Sequence, residues 1–246
     1  MPTEAAISIN AFGQPVGPDV PGWTPCARPS DEPLAGRFCR LAPYDADRHL
    51  KPLFATYAED DGRMWTYVPW GPFPDAEAMG QVIRFTGELA PQPFQRFVIL
   101  EAASGDPVGE ASYMRHAPDL GAIEVGAVTF GPRLTRTPAA TEAMYLMMRR
   151  VFETGYRRYE WKCDALNAAS RAAAQRLGFT FEGVFRNERV YKGRSRDTAW
   201  FSVIDQDWPT LRRAMERWLD EANFDGAGVQ RRRLAELVVE ERGHAG

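Results

Sequence analysis

Cysteine is scarce in this sequence, and histidine equally so. Cys26, Cys39 and Cys163 stand far apart with no Cys-x-x-Cys pair, which excludes a disulfide framework and a zinc knuckle. His49, His116 and His244 are as dispersed, and a metal site would need carboxylates that show no ligand spacing, so no metal is expected. No apolar run approaches membrane-spanning length. The opening residues also lack the basic start and apolar stretch of a secretory leader, so the expectation is a cytoplasmic protein with no membrane partner. Neither charge dominates: 30 basic and 33 acidic residues are well mixed at a formal net charge of -3, which leaves no face built for nucleic acid.

What the chain does have is enough apolar material for a sizeable core, 44% hydrophobic residues over 246 positions. Seven prolines fall within residues 1–33, which favours an extended N-terminal arm. "GRFCRLAPYD" then reads as a first strand, and "DADRHLKPLFATYAED" as a helix that Pro52 kinks or restarts. An aromatic loop, "RMWTYVPWGPF", is followed by a short helix near residues 75–88. "FQRFVILEAA", "VGEASYMRHA" and "AIEVGAVTF" are three meander strands separated by "SGDP" and "PDLG" turns. "PAATEAMYLMMRRVFETG" is a helix with Thr137 as N-cap, Pro138 in its first turn and Gly155 as its stop. Next come a strand, "RRYEWKCDA", and a helix, "NAASRAAAQRLG", capped by Asn167 and closed by Gly178. "FTFEGVFRNERVYKGRSRDTAWFSVID" gives two strands around a "KGRS" turn. Two amphipathic helices over residues 209–246 are too short for a domain and read as a C-terminal helical cap on a domain spanning 34–208. This order predicts an α+β fold with flanking helices around a mixed, mainly antiparallel central sheet. The strand-helix-strand segment in the middle implies one parallel pairing.

Three stretches, in order, carry a family resemblance. "ATEAM" fits the helix that follows an acyl-CoA loop; "NAASRAAAQRLGFTFEGVFRN" has an Asn, a serine three later, then Gly-Phe and Glu-Gly before a strand; "RDTAWFSVIDQDWP" fits the closing strand. From about Leu34 to Trp208 the chain thereby resembles the GCN5-related N-acetyltransferases, and within them the ribosomal-protein N-acetyltransferase-like branch. The resemblance implies the acyl-CoA N-acyltransferase fold, acetyl-CoA (coenzyme A) as cosubstrate, and acetyl transfer to a primary amine of a small molecule, peptide or protein. It covers neither the arm nor the C-terminal helices, which are free to serve a homodimer. The alternative reading is an acyl-CoA-binding sensor or scaffold protein without catalysis.

In that family a loop patterned Gln/Arg-x-x-Gly-x-Gly/Ala wraps the coenzyme pyrophosphate, and aligning on "ATEA" puts Thr135 at its first position and Pro138 at its glycine. A helix N-terminus supplies amides and positive potential without the glycine. With Thr137 as N-cap, the amides of Ala139, Ala140 and Thr141 are expected to stay free, with Arg133 and Arg136 beside the phosphates. Gly126, Ala127 and Val128, on the strand before the loop, offer little bulk to the pantetheine arm, and Thr129 is a further expected coenzyme contact. Glu124, on that same strand, is the expected general base, because an ammonium acceptor must lose a proton before its nitrogen can attack a thioester. Ser170 matches the branch's serine that protonates the leaving thiolate, or else caps its helix with Asn167, itself an expected coenzyme contact. Where the branch can place a catalytic glutamate after the Glu-Gly pair, this chain has Arg189, with Glu188 adjacent. Trp65, Tyr67, Trp70 and Phe73, with Tyr113 and Arg115, are the acceptor-pocket candidates; the aromatics read equally as a hydrophobic plug. Tyr191 and Lys192, at the hairpin tip, either reach the same cleft or form a solvated turn.

Overall fold

Proline leaves the arm little regular structure. In the computed structural model, which describes residues 7–244, it forms one minimal hairpin, β1 (Ser8–Ile9) with β2 (Pro15–Val16), and then crosses one end of the central strands of the main sheet. Trp23 fills the space over Gly121, where a Cβ would come within 2.4 Å of the ring, and Gln95 donates to Pro29 O at 2.7 Å. The main sheet opens with β3 (Leu34–Ala35) and β4 (Cys39–Pro43). Helix α1 (Ala46–Tyr57) is capped by Asp45 and continues through Pro52, which stands on its exposed side, rather than restarting there. The aromatic loop leads to α2 (Ala76–Arg84), whose last turn widens over Phe85–Leu89.

The meander strands are β5 (Gln95–Glu101), β6 (Pro107–Ala117) and β7 (Ala122–Phe130). Helix α3 (Pro138–Glu153) returns the chain to β8 (Arg158–Asp164), and α4 (Ala168–Arg176) leads to the hairpin β9 (Thr180–Tyr191) and β10 (Arg194–Ile204). Lys192 and Gly193, at φ +48° and +70°, make the tight turn that "KGRS" predicts. The eight strands lie in the order β3-β4-β5-β6-β7-β8-β10-β9, and β7 with β8 is the parallel pair.

Each face of the sheet has its own core. Phe97, Tyr113, Ile123, Val125 and Trp161 pack under α3 and α4, and this cluster extends into α5 (Trp208–Leu219) and α6 (Leu234–His244). Trp208 stacks on Phe152 at 5.0 Å, tying the C-terminal helices to α3. On the opposite face, Leu53, Tyr57, Trp65, Met79, Ile83 and Val98 form a smaller cluster with α1 and α2. No helix among the described residues is long and apolar enough to cross a membrane.

Candidate active site

The parallel pairing of β7 and β8 is short. It runs from Ala122 opposite Arg158 to Val125 opposite Trp161, after which the strands part. Ala127 marks the parting: its φ is +48°, and from Gly126 to Thr129 β7 advances by three positions while β6, from Ser112 to Glu110, advances by two. The facing edges of β7 beyond Val125 and of β8 beyond Trp161 therefore keep unpaired backbone groups, and the opening between them joins the two faces of the sheet.

Glu124 stands at the closed end of this opening, on the α1/α2 face, since its neighbours Ile123 and Val125 face α3. Its Oε2 accepts from Lys162 Nζ at 2.9 Å and lies 3.5 Å from Arg115 Nε. Its Oε1 lies over Gly126, at 3.1 Å from where a Cβ would stand, with no hydrogen-bond donor among the described residues. One oxygen is thus held and the other is free. The Lys162 side chain is only 4% exposed, lies 3.7 Å from the Trp200 ring centroid, and pairs with Glu160 at 2.7 Å. From Glu160 the ion pairs continue to Arg158 at 2.7 Å and to Glu182 at 2.5 Å, where Ser202 donates the final bond at 2.6 Å.

Burial pushes the Glu124 carboxyl above the ordinary carboxylate range, and Lys162 and then Arg115 oppose that rise. Removing the lysine must therefore raise it further. If Glu124 is the base, its ionised form is the active one, and the rate falls as pH drops through its pKa. In Lys162→Met the acid limb of the rate profile should move to higher pH; a limb that stays in place would remove Lys162 from this role.

The start of α3 forms as expected, with Thr137 as N-cap and Pro138 first, but fewer amides stay free than the sequence suggests. Ala140 N donates to Thr137 Oγ1 at 3.3 Å, and Thr141 N belongs to the helix ladder. The amides of Arg136 and Ala139 are those without a partner among the described residues. Thr141 is buried, its hydroxyl accepting from Arg176 Nη2 at 3.0 Å, so its side chain faces α4 and not the loop. Arg133 pairs with Asp106 at 3.3 Å and Glu59 at 3.9 Å, and it lines a cavity with Thr137, Pro138 and Ala139 at the start of α3. Arg136 is exposed, in the left-handed region at φ +64°, and has no acidic partner within 4 Å among the described residues; nor has Arg176. Thr135 is exposed, with its hydroxyl on Gly131 O at 3.2 Å, while Val128 packs against the core and Thr129 O accepts from Tyr57 at 3.3 Å.

Ser170 lies across the sheet from Glu124. Its amide donates to Asn167 Oδ1 at 3.0 Å and its hydroxyl accepts from Trp161 Nε1 at 3.0 Å, which leaves the hydroxyl proton to give. Cys163, nearby, is buried, and burial raises its thiol pKa, which suits packing rather than nucleophilic chemistry.

Tyr113 does not belong to the acceptor pocket. It is fully buried under α3, its hydroxyl donating to Met147 O at 2.8 Å. Regular alternation would put Tyr113 and Arg115 on one face, but Arg115 sits in a bulge at φ +49° and reaches Glu124 on the other. The aromatic loop is mostly plug. Trp65 is buried edge-on to Tyr57 and Phe73, at 5.6 and 5.2 Å, and Trp70 packs against the same cluster. Tyr67 stays half-buried, close enough to Tyr191 to help raise its pKa. The hairpin tip is no free turn: Tyr191 donates to Asp164 at 2.8 Å and Lys192 Nζ to Trp65 O at 2.7 Å. Burial, followed by the bond to Asp164, pushes the Tyr191 phenol up to about 12.

Comparison with known proteins agrees with this geometry. Residues 39–180 match the model of the acetyltransferase (GNAT) domain. The chain belongs to the GNAT acetyltransferase family. A GCN5-related N-acetyltransferase from Brucella melitensis is 41% identical and superposes with a TM-score of 0.85 over 89% of this chain and 100% of that one. A protein described as a probable GNAT-family acetyltransferase from Chromobacterium violaceum is 40% identical, with a TM-score of 0.75 over 80% of this chain and 98% of that one. The microcin C7 self-immunity acetyltransferase MccE, in complex with acetyl-CoA and AMP, shares the fold at 18% identity and a TM-score of 0.58, over 69% of this chain and 93% of that one. No protein of curated function matches the sequence.

In this GNAT protein, sequence reading missed Lys162, Glu160, Trp200, Asp164 and Arg176. The alternation of "YEWKCD" was the available signal, because it places Glu160 and Lys162 together opposite Trp161. A cavity of about 780 Å³ lies elsewhere, between the arm, α2 and the start of β5. Two of its polar lining residues are paired, Gln95 with Asp31 at 2.7 Å and Arg96 with Glu110 at 2.6 Å, and it contains neither Glu124 nor the start of α3. Among the described residues no cluster of three His, Cys, Asp or Glu is arranged to hold a metal.

Proposed function

We propose that this protein is an acetyl-CoA-dependent N-acetyltransferase of the ribosomal-protein N-acetyltransferase-like type, which acetylates a primary amine by direct transfer. One observation carries the reading: an opening between β7 and β8 has a half-free buried carboxylate on one face of the sheet and, on the other, a serine hydroxyl in the first turn of α4. The residues fit acetyl-CoA. Two free amides and the macrodipole of α3 suit a diphosphate, Arg136 and Arg176 add charge that no acid neutralises, and the unpaired edge of β7 can bind a pantetheine amide.

Bound there, acetyl-CoA supplies an activated acetyl thioester. Glu124 takes a proton from the acceptor ammonium at Oε1 while Lys162 holds Oε2. The open strand edge offers N–H groups to the thioester carbonyl, and Ser170 gives its proton to the departing sulfur. No covalent enzyme intermediate is needed.

Coenzyme A and acetyl-CoA should raise the melting midpoint, because they bind only the folded chain. No rise at millimolar ligand would end this reading. Arg136→Ala removes one charge-assisted contact and should weaken coenzyme A about 10- to 100-fold, whereas Pro138→Gly restores an amide and should leave affinity within about tenfold. If neither substitution changes affinity, the start of α3 does not hold the phosphates. Binding without transfer to any amine would mark a sensor or scaffold instead.

A further inference from the structure

The β9–β10 hairpin has a charge bias that the chain as a whole lacks. Between residues 186 and 197 stand Arg186, Arg189, Lys192, Arg194 and Arg196 against Glu188 and Asp197, in a protein whose formal net charge is -3. Register determines where three of these point. Arg194 is opposite Tyr191 and Arg196 is opposite Arg189, and on β10 both arginines share a side with Thr198 and Trp200. Thr198 is opposite Asp164 and Trp200 opposite Lys162, so this is the side that carries Glu124. The contacts agree: Tyr191 bonds Asp164, Arg196 lies 5.8 Å from the Tyr191 ring centroid, and Lys192 reaches the aromatic loop.

These cations are barely neutralised. Arg189 has Glu188 at 3.8 Å, but among the described residues no carboxylate lies within 4 Å of Lys192, Arg194 or Arg196. Arg196 Nε is buried without any partner. Between the cations and Glu124, Phe185 packs on Trp200 at 4.5 Å and remains 54% exposed, giving an apolar wall. From Trp200 to Arg194 a strand covers about 20 Å, the reach of roughly six extended residues.

We infer that this face of the hairpin is a docking strip for an acidic polypeptide segment, and that the acceptor is the N-terminal amine of a peptide or protein with acidic residues soon after its first positions. This rests on the amine acetylation proposed above and names its substrate class. The cations are spread along two strands and do not converge on one point, so a single carboxylate or phosphate would satisfy only part of the strip. An extended acidic chain, its amine at Glu124, would pass the aromatic wall and meet Arg196, Arg189 and Arg194 in turn.

The test uses the full chain, acetyl-CoA, and synthetic peptides that begin Ser-Ala and continue with a run of glutamate, glutamine or lysine. The glutamate peptide should show a kcat/KM about tenfold or more above the glutamine peptide at low salt, with the gap closing near 0.5 M salt. Arg194→Glu with Arg196→Glu should transfer the preference to the lysine peptide, with the coenzyme A melting shift retained as proof of folding. Equal rates for the three peptides, or an unchanged preference in the double variant, overturn the strip. So does an RNA oligonucleotide that competes with the peptides, or transfer to small anionic amines and to no peptide. If no peptide is acetylated while coenzyme A still raises the melting midpoint, the strip fails and coenzyme use stands. If coenzyme A raises nothing, the proposed function falls and the strip falls with it.

Discussion

Replacing Glu124 with glutamine will lower kcat for amine acetylation by about 10²- to 10⁴-fold, the range in which a positioned general base contributes. Coenzyme A affinity should not follow. The carboxylate is on the proposed acceptor side of the opening, whereas Arg136, Arg176 and the start of α3 are on the other, and Lys162 keeps its pairing to Glu160 at 2.7 Å when Glu124 loses its charge. The residual rate should also lose the acid limb of its pH profile, because the group that titrates there is gone. Full activity in Glu124→Gln would remove Glu124 from proton transfer and leave the ion pair with Lys162 as a structural contact. A matched loss of coenzyme affinity and rate would show that the carboxylate only shapes the opening.

Glu142→Ala will destabilise the fold by about 3–5 kcal/mol, the cost of losing a buried charged acceptor and orphaning its donors. Glu142 is 4% exposed on α3, and its carboxylate accepts the backbone amides of Arg37, Phe38 and Cys39 at 2.7, 2.6 and 2.8 Å. These amides turn the chain from β3 into β4 and have no other acceptor in place. Gly36 is part of the same arrangement, since a Cβ there would come within 2.3 Å of the carboxyl carbon. For a chain of this size the midpoint should fall by about 10 °C. Glu142→Gln should lose nearly as much, because its NH₂ group would face amide donors. A glutamine variant that melts with the parent would show that one oxygen suffices and that the three short bonds act as one.

The elements most legible in the sequence are those fixed by neighbouring residues. Thr137 and Pro138 start α3, Asn167 caps α4, and Lys192-Gly193 closes the hairpin, each through chemistry within four residues of itself. The parallel pairing followed from element order alone. What escaped the sequence depended on distant partners or on broken alternation. Arg133 meets Glu59 and Asp106, and nothing near residue 133 predicts either. The bulge at Arg115 turns that side chain to Glu124 and away from the face of Tyr113, whereas a period of two keeps the pair together. Lys162 on a strand reads as a solvated residue until Glu124, Glu160 and Trp200, from three strands, close around it. Trp65 and Phe73 show the limit of composition: a proline-rich aromatic loop suits a pocket and a plug equally, and only packing against Tyr57 decides.

The run of charges from Glu124 through Lys162, Glu160 and Arg158 to Glu182 has an implication for how such a protein can drift in sequence. Each inner member balances two neighbours, so the effect of exchanging one depends on what occupies the positions on either side, and single substitutions will not add. Loss of Glu182 at the sheet's edge would be felt at Arg158 and then at Glu160. Neutral wandering at these five positions is therefore restricted to coordinated exchanges, even though Glu182 lies three strands from the proposed base and touches nothing that reacts.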